Sequence, residues 1–138
     1  MLLVIADDDR DSAETLAHLL RLLVSPPPEV VLAADGQEAV TAATNCTPPP
    51  DAVILDLEMP RMDGLTAAIG IRRALGTVAP TLIALTGHAG MTNLPSGSTV
   101  FDHALLKPVK VDELLGLLNL TAQLRSGGAF TRVGRRMD

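Results

Sequence analysis

The chain has 138 residues, 47% of them hydrophobic and 20% charged, which suits one soluble domain with a packed core and argues against a two-domain enzyme. Its net charge of −5 is unevenly spread: residues 1–124 carry 7 Lys and Arg against 15 Asp and Glu, a net of −8, while residues 125–138 carry four Arg against one Asp, a net of +3. With Lys107 and Lys110 as the only lysines and Phe101 and Phe130 as the only aromatics, the acidic body offers neither a phosphate-neutralising face nor a base-stacking platform, so direct nucleic-acid binding is not expected.

The first element, Leu2 to Ala6, is a continuous apolar run of strand length. It has no basic flank and ends in three aspartates, so it is not expected to act as a secretory signal. No apolar run approaches the roughly 18 to 20 residues of a membrane span, and a cytoplasmic location without membrane insertion is expected. Leu16, Leu19, Leu20 and Leu23 then recur at helical spacing, and Asp11 with Glu14 has the form of a capping box. The proline runs 26–28 and 48–50 cannot lie inside helices and divide the first half into repeating units. Between them, Glu29 to Ala33 repeats the strand signal, and Asp35 with Glu38 repeats the cap before Ala39, Val40 and Ala43. Cys46 stands alone, which excludes an internal disulfide and argues against a cysteine-based zinc site.

A third buried strand is expected at Ala52 to Leu55 and a third helix at Gly64 to Leu75, with Gly76 placed as its stop. A fourth strand follows at Thr81 to Leu85. The stretch from Gly87 to Val100 is a poor helix, interrupted by Gly90, Pro95 and Gly97. A fifth strand near His103 to Leu106 leads into a last helix bearing Val111, Leu114, Leu115 and Leu118. Residues 125–138, with Gly127 and Gly128, read as a flexible basic tail or an expression remnant after a domain of residues 1–124. Five strands alternating with helices, without in-and-out polarity, give an α/β fold whose parallel sheet is covered on both faces.

Ligands of such a sheet bind beyond the carboxyl ends of its strands, so the residues ending each strand matter most. Strand one ends in Asp7, Asp8 and Asp9, strand three in Asp56 with Glu58 close behind, strand four in Thr86, and strand five in Lys107 and Pro108. Each has an ordinary structural reading, since acids cap helices, Thr ends strands and Lys is solvated. Their joint arrival at one edge is harder to obtain by accident. Crowded carboxylates are tolerated around a hard divalent cation such as Mg²⁺, and a carboxylate nucleophile, a metal, an ammonium and a hydroxyl make up a phosphoryl-transfer site.

The sequence resembles the receiver domain of two-component response regulators. The segments LLVIADDDRDSAETLAHLL, DAVILDLEMPRMDGLTAA, LIALTG and LLKPV carry the resemblance, in order, over residues 1 to about 122. It implies a doubly wound, flavodoxin-like sheet of strand order 2-1-3-4-5, with Asp56 as the phosphoacceptor in a phosphorelay. Asp7 and Asp8 would be the acidic pair holding Mg²⁺ together with Asp56 and the backbone carbonyl of Glu58. Thr86 would follow the phosphoryl group, Lys107 would pair with it, and a cis bond is expected before Pro108. The implied partner is a histidine kinase or a histidine phosphotransfer protein. Such a domain catalyses its own phosphoryl transfer and autodephosphorylation without being a conventional enzyme. Output would pass through a partner protein or a missing domain.

Some positions depart from the family pattern. Ala104 stands where receivers generally carry an aromatic, and Lys110 where an acidic helix cap is usual. Ala104 and the poor helix between Gly87 and Val100 favour an alternative, a phosphorylation-independent docking module, against which the complete acid, Thr and Lys set argues. A hydrolase of the haloacid dehalogenase type would place its nucleophile on the first strand. Asp7, Asp9 and Asp11 mimic the start of an EF-hand loop, but Ser12 replaces the turn glycine and His18 the bidentate Glu. His18 and His103 are read as structural. Glu58 and His88 occupy the positions through which the family tunes phosphate lifetime.

Overall fold

The computed structural model describes residues 1–59, 62–87 and 100–128. Along the chain run β1 (Leu2–Ala6), α1 (Arg10–Leu23), β2 (Glu29–Ala33), α2 (Gly36–Asn45), β3 (Ala52–Asp56) and α3 (Gly64–Leu75). A 3₁₀ turn (Gly76–Val78), β4 (Thr81–Thr86), β5 (His103–Leu106) and α4 (Val111–Gly128) complete the series. All strand pairs are parallel and the order is β2-β1-β3-β4-β5. The fold is the doubly wound, flavodoxin-like α/β arrangement expected, and no helix among the described residues is long and apolar enough to cross a membrane.

Alternating side chains of the central strands feed two cores, because successive residues of a strand point to opposite faces. Val4, Ala6, Val53, Leu55, Leu82 and Ala84 meet the α2 and α3 alanines 39, 43, 67 and 68 and Ile71 on one face. Leu3, Ile5, Ile54, Ile83 and Leu85 meet Ala17 and Leu20 of α1 and Leu114 and Leu118 of α4 on the other. The β3 strand is buried throughout, whereas β2, at one edge, alternates between exposed and covered positions. Edge position therefore restores there the polarity that the sequence pattern had hidden.

Three local expectations meet different outcomes. The Asp35 cap is present: its Oδ1 accepts from Glu38 N at 2.9 Å, and Glu38 Oε1 accepts from Ala34 N at 2.9 Å. The first helix, however, is capped by Asp9 and not by Asp11, for the Asp9 carboxylate accepts from both Ser12 N and Ser12 Oγ. Glu14 then pairs with Arg10 across one turn, at 3.0 Å. Gly76 does end α3, at φ 56°, a conformation that favours glycine. α4 runs to Gly128, past residue 124, while residues 129–138 and the expectation for residues 88–99, His88 included, lie outside the described residues. His18 lies on the exposed side of α1.

Candidate functional site

The strand order reverses between β1 and β3, since the chain leaves β1 for β2 on one side and returns to β3 on the other. A crevice opens at such a point beyond the strand ends. Asp7 follows β1 directly, and its backbone N–H donates to Ala33 O at 3.0 Å, which continues the pairing with β2. Its Oδ1 accepts from Asp9 N at 2.9 Å. The cap of α1 and the orientation of Asp7 are thus one local structure. Asp56 ends β3 and is 2% exposed. Glu58 N donates to its Oδ1 at 3.0 Å, and Lys107 Nζ donates to its Oδ2 at 2.7 Å. Lys107 itself is anchored by its backbone N–H, which donates to Thr86 O at 2.7 Å. The Lys107–Pro108 peptide bond is cis.

Asp7, Asp8 and Asp56 each offer a carboxylate oxygen, and the three oxygens lie within 4.8 Å of one another. Asp7 and Asp56 are buried and Asp8 is exposed, so the cluster opens to solvent on one side. Burial raises the Asp7 pKa, and the charges of Asp56 and Asp8 push it further up, against the pull of Asp9 N–H and the Lys107 ammonium. Burial would lower the Lys107 pKa, but its bond to Asp56 and the surrounding carboxylates outweigh that and raise it. Asp9 is shifted down by its bonds to Ser12. An all-oxygen donor set, with a buried carboxyl that is reluctant to ionise alone, fits a hard divalent cation such as Mg²⁺.

Asp7, Asp8, Asp56, Glu58, Thr86 and Lys107 therefore all come to the same sheet edge. Thr86 is fully buried as the last residue of β4, and the Glu58 carboxylate lies 3.9 Å from where a Cβ on Gly87 would stand. Sequence reasoning did not single out Gly64 as a site residue. A Cβ there would come within 2.5 Å of the Asp56 carbonyl oxygen, so α3 starts against the backbone of the buried acid. The Asp63-Gly64 turn signal after a strand was the available clue. Gly36 has a similar role one element away: its N–H donates to Met62 O at 3.2 Å, and a Cβ would meet that oxygen at 2.3 Å. The α2 start thus braces the loop that leads from Asp56 to α3. Above the site, a groove of about 650 Å³ runs between α1 and the start of α4, lined by Leu16, Leu19, Val109 and Val111 with Asp7 and Lys107 at its edge.

A family model described as the response regulator receiver domain matches residues 3–119. The chain is 32% identical over 127 residues to the transcriptional regulatory protein PrrA of Mycobacterium tuberculosis, covering 91% of this chain and 51% of that protein. It is 30% identical over 116 residues to the hybrid signal transduction histidine kinase H of Dictyostelium discoideum, covering 81% of this chain and 8% of that one. The chain thus spans about half the length of one relative and a small part of the other. The crystal structure of response regulator protein TrrA from Thermotoga maritima, in complex with Mg²⁺-BeF, superposes with a TM-score of 0.73 at 27% identity, over 87% of this chain and 97% of that one.

Proposed function

The chain belongs to the response regulator receiver domain family, and on that premise we propose that Asp56 accepts a phosphoryl group from a phosphohistidine donor in a two-component phosphorelay. The observation that carries this reading is the buried Asp56 carboxylate, with the Lys107 ammonium 2.7 Å from one oxygen and two further carboxylates within 4.8 Å. An Asp56 carboxylate oxygen attacks phosphorus, the P–N bond to the donor imidazole breaks, and the imidazole nitrogen keeps the electron pair and takes up a proton. Lys107, held by Thr86 O, pairs with the phosphoryl oxygens that arrive beside Asp56. The Thr86 hydroxyl, at the end of β4, contributes a donor to the same group. Asp7, Asp8, Asp56 and the Glu58 carbonyl would hold Mg²⁺, which when bound neutralises charge on the transferring group. Water attack at phosphorus breaks the P–O bond to Asp56, releases inorganic phosphate and leaves the carboxylate in its starting state. It is a phosphoacceptor and not a conventional enzyme.

The donor would be a histidine kinase or a histidine phosphotransfer protein, met in the cytoplasm. No nucleic-acid contact is assigned to residues 1–124, whose net charge is −8. Output would pass through a partner or a further domain, as the greater length of PrrA, a transcriptional regulatory protein, suggests. A docking-only module has no use for a buried acid, a paired lysine and a carboxylate cluster, so that alternative is not favoured. Incubation with Mg²⁺ and a small phosphodonor such as acetyl phosphate, followed by intact-mass measurement, tests the proposal. One phosphoryl group is expected on the wild type and none on Asp56→Asn. Equal labelling of the two proteins would remove the role from Asp56.

A further inference from the structure

The lysine that faces Asp56 is carried by the least secure strand of the sheet. β5 has four residues, pairs among the described residues only with β4, and is nowhere fully buried. Lys107 must nevertheless reach Asp56 on β3, with β4 in between. Because side chains alternate along a strand, a slip of one residue would send Lys107 to the opposite face of the sheet. Something must therefore fix the register of β5 on β4 beyond the few ladder bonds that four residues supply.

The fixing occurs at the start of the strand, five residues before Lys107. Asp102 N donates to Leu82 O at 2.8 Å, and Asp102 Oδ2 accepts from Leu82 N at 2.8 Å, so one residue satisfies both backbone groups of its partner on β4. Arg72, from the last turn of α3, donates from Nη2 to the same Oδ2 at 3.0 Å and from Nε to Val100 O at 2.6 Å. Phe101, between those two anchor points, is buried in the core on the α2 and α3 side. We propose that the Arg72–Asp102 clamp is a positioning device for the phosphoryl site: it locks β5 in the register that brings Lys107 onto Asp56.

Asp102 precedes Lys107 by five residues, about 16 Å along the chain at about 3.3 Å per strand residue, and the contacts of the clamp are to Leu82 and Val100, not to Asp56. Their ion pair is partly exposed, with side chains 34% and 41% accessible, and pairs of that kind add little to stability. Its consequence is directional: four hydrogen bonds converge on residues 100 to 102 and define where residue 107 falls. The inference rests on the assignment of Asp56 as acceptor, and the test separates the two.

The experiment compares Asp102→Ala, Asp102→Asn, Arg72→Gln, Lys107→Ala and the double variant Asp102→Ala/Lys107→Ala. Three quantities are read: labelling rate by acetyl phosphate at saturating Mg²⁺, Mg²⁺ affinity in the absence of donor, and amide exchange of residues 103–107. Asp102→Ala is expected to slow labelling about tenfold, as loss of a bond to a charged partner can, while Mg²⁺ affinity, set by β1 and β3, stays unchanged. Exchange should rise at residues 103–107 but not in β1 or β3. In the Lys107→Ala background the same substitution should cost nothing further, because a positioning residue has no effect once the group it positions is gone. Asp102→Asn, which keeps an acceptor for Leu82 N, should recover most of the rate. Additive losses in the double variant, or Mg²⁺ affinity falling in step with the rate, would overturn the proposal. If Asp102→Ala does not fold, Arg72→Gln carries the same measurements, since the Asp102–Leu82 bonds remain. If the wild type takes no phosphoryl group, the acceptor assignment fails by itself. The clamp is then decided by exchange alone, and unchanged protection at Lys107 in Arg72→Gln overturns it.

Discussion

Folding takes the Asp7 carboxyl largely out of water. Burial is the main reason its pKa lies above the ordinary value of 3.8, with Asp56 and Asp8 adding to the shift. A raised value in the folded state means that the native protein holds this proton more tightly than the unfolded chain does. The resulting stabilisation is complete below the ordinary value and is lost as pH rises through the raised one, so at neutral pH ionised Asp7 opposes folding. Asp7→Asn is therefore expected to stabilise the metal-free domain at pH 7, with the gain shrinking as pH falls toward about 4. Urea denaturation of both proteins at several pH values, without Mg²⁺, checks this, and a less stable Asp7→Asn at pH 7 would contradict it. The six candidate site residues were legible because a parallel sheet presents the residues that end its strands at one edge. The role of Asp9 was not. Acids at both 9 and 11 allow either an Asp9–Ser12 cap or an Asp11–Glu14 box, and only backbone geometry selects the one whose N–H also orients Asp7.

Elements were readable in proportion to how much local signal they carry. The start of α2 follows from the Asp35 cap and the stop of α3 from Gly76, whereas the register of β5 depends on Arg72 and Asp102, thirty residues apart, and no periodicity reveals such a pair. The same distinction separates glycines that end helices from those that admit a neighbour. Gly76 has nothing near a Cβ position, while Gly64 faces the Asp56 carbonyl at 2.5 Å. Gly64→Ala must push α3 away from β3 and is expected to cost about 1 to 3 kcal/mol, the usual range for overpacking. It should also slow labelling of Asp56, because the displaced atom belongs to the acceptor residue. Chemical denaturation and the acetyl phosphate assay measure the two effects, and a neutral Gly64→Ala would mean that the loop yields freely. Within α1, burial sets a comparable contrast. Leu20 is fully buried and Leu22 is 67% exposed, so Leu20→Ala should lose about 2 to 5 kcal/mol and Leu22→Ala about 0.5 kcal/mol or less. Similar losses at both positions would place an unseen partner on the exposed side of the helix.

For the molecule as a whole, the carboxylate cluster joins the first half of the sheet to the second. Asp7 and Asp8 follow β1, Asp56 ends β3, and the two strands are hydrogen-bonded neighbours at the centre of the fold. A cation that binds there is held by both strands at once and has no comparable site in the unfolded chain. Binding to the native state alone must then stabilise the entire domain, by about 2.7 kcal/mol at a hundredfold excess over Kd. The net charge of −8 on residues 1–124 acts in the same direction, since it concentrates divalent cations near the open side of the cluster. Asp8 is the exposed member and can be removed without opening a cavity. Asp8→Ala is accordingly expected to match the wild type in stability without Mg²⁺, or to exceed it slightly through relief of repulsion, and to lose most of the gain when Mg²⁺ is added. Parallel urea melts across a Mg²⁺ series separate this from a general effect of ionic strength, provided that an equivalent NaCl series is run beside them. Equal Mg²⁺ stabilisation of Asp8→Ala and wild type would show that the cation binds somewhere other than the carboxylates that β1 and β3 bring together.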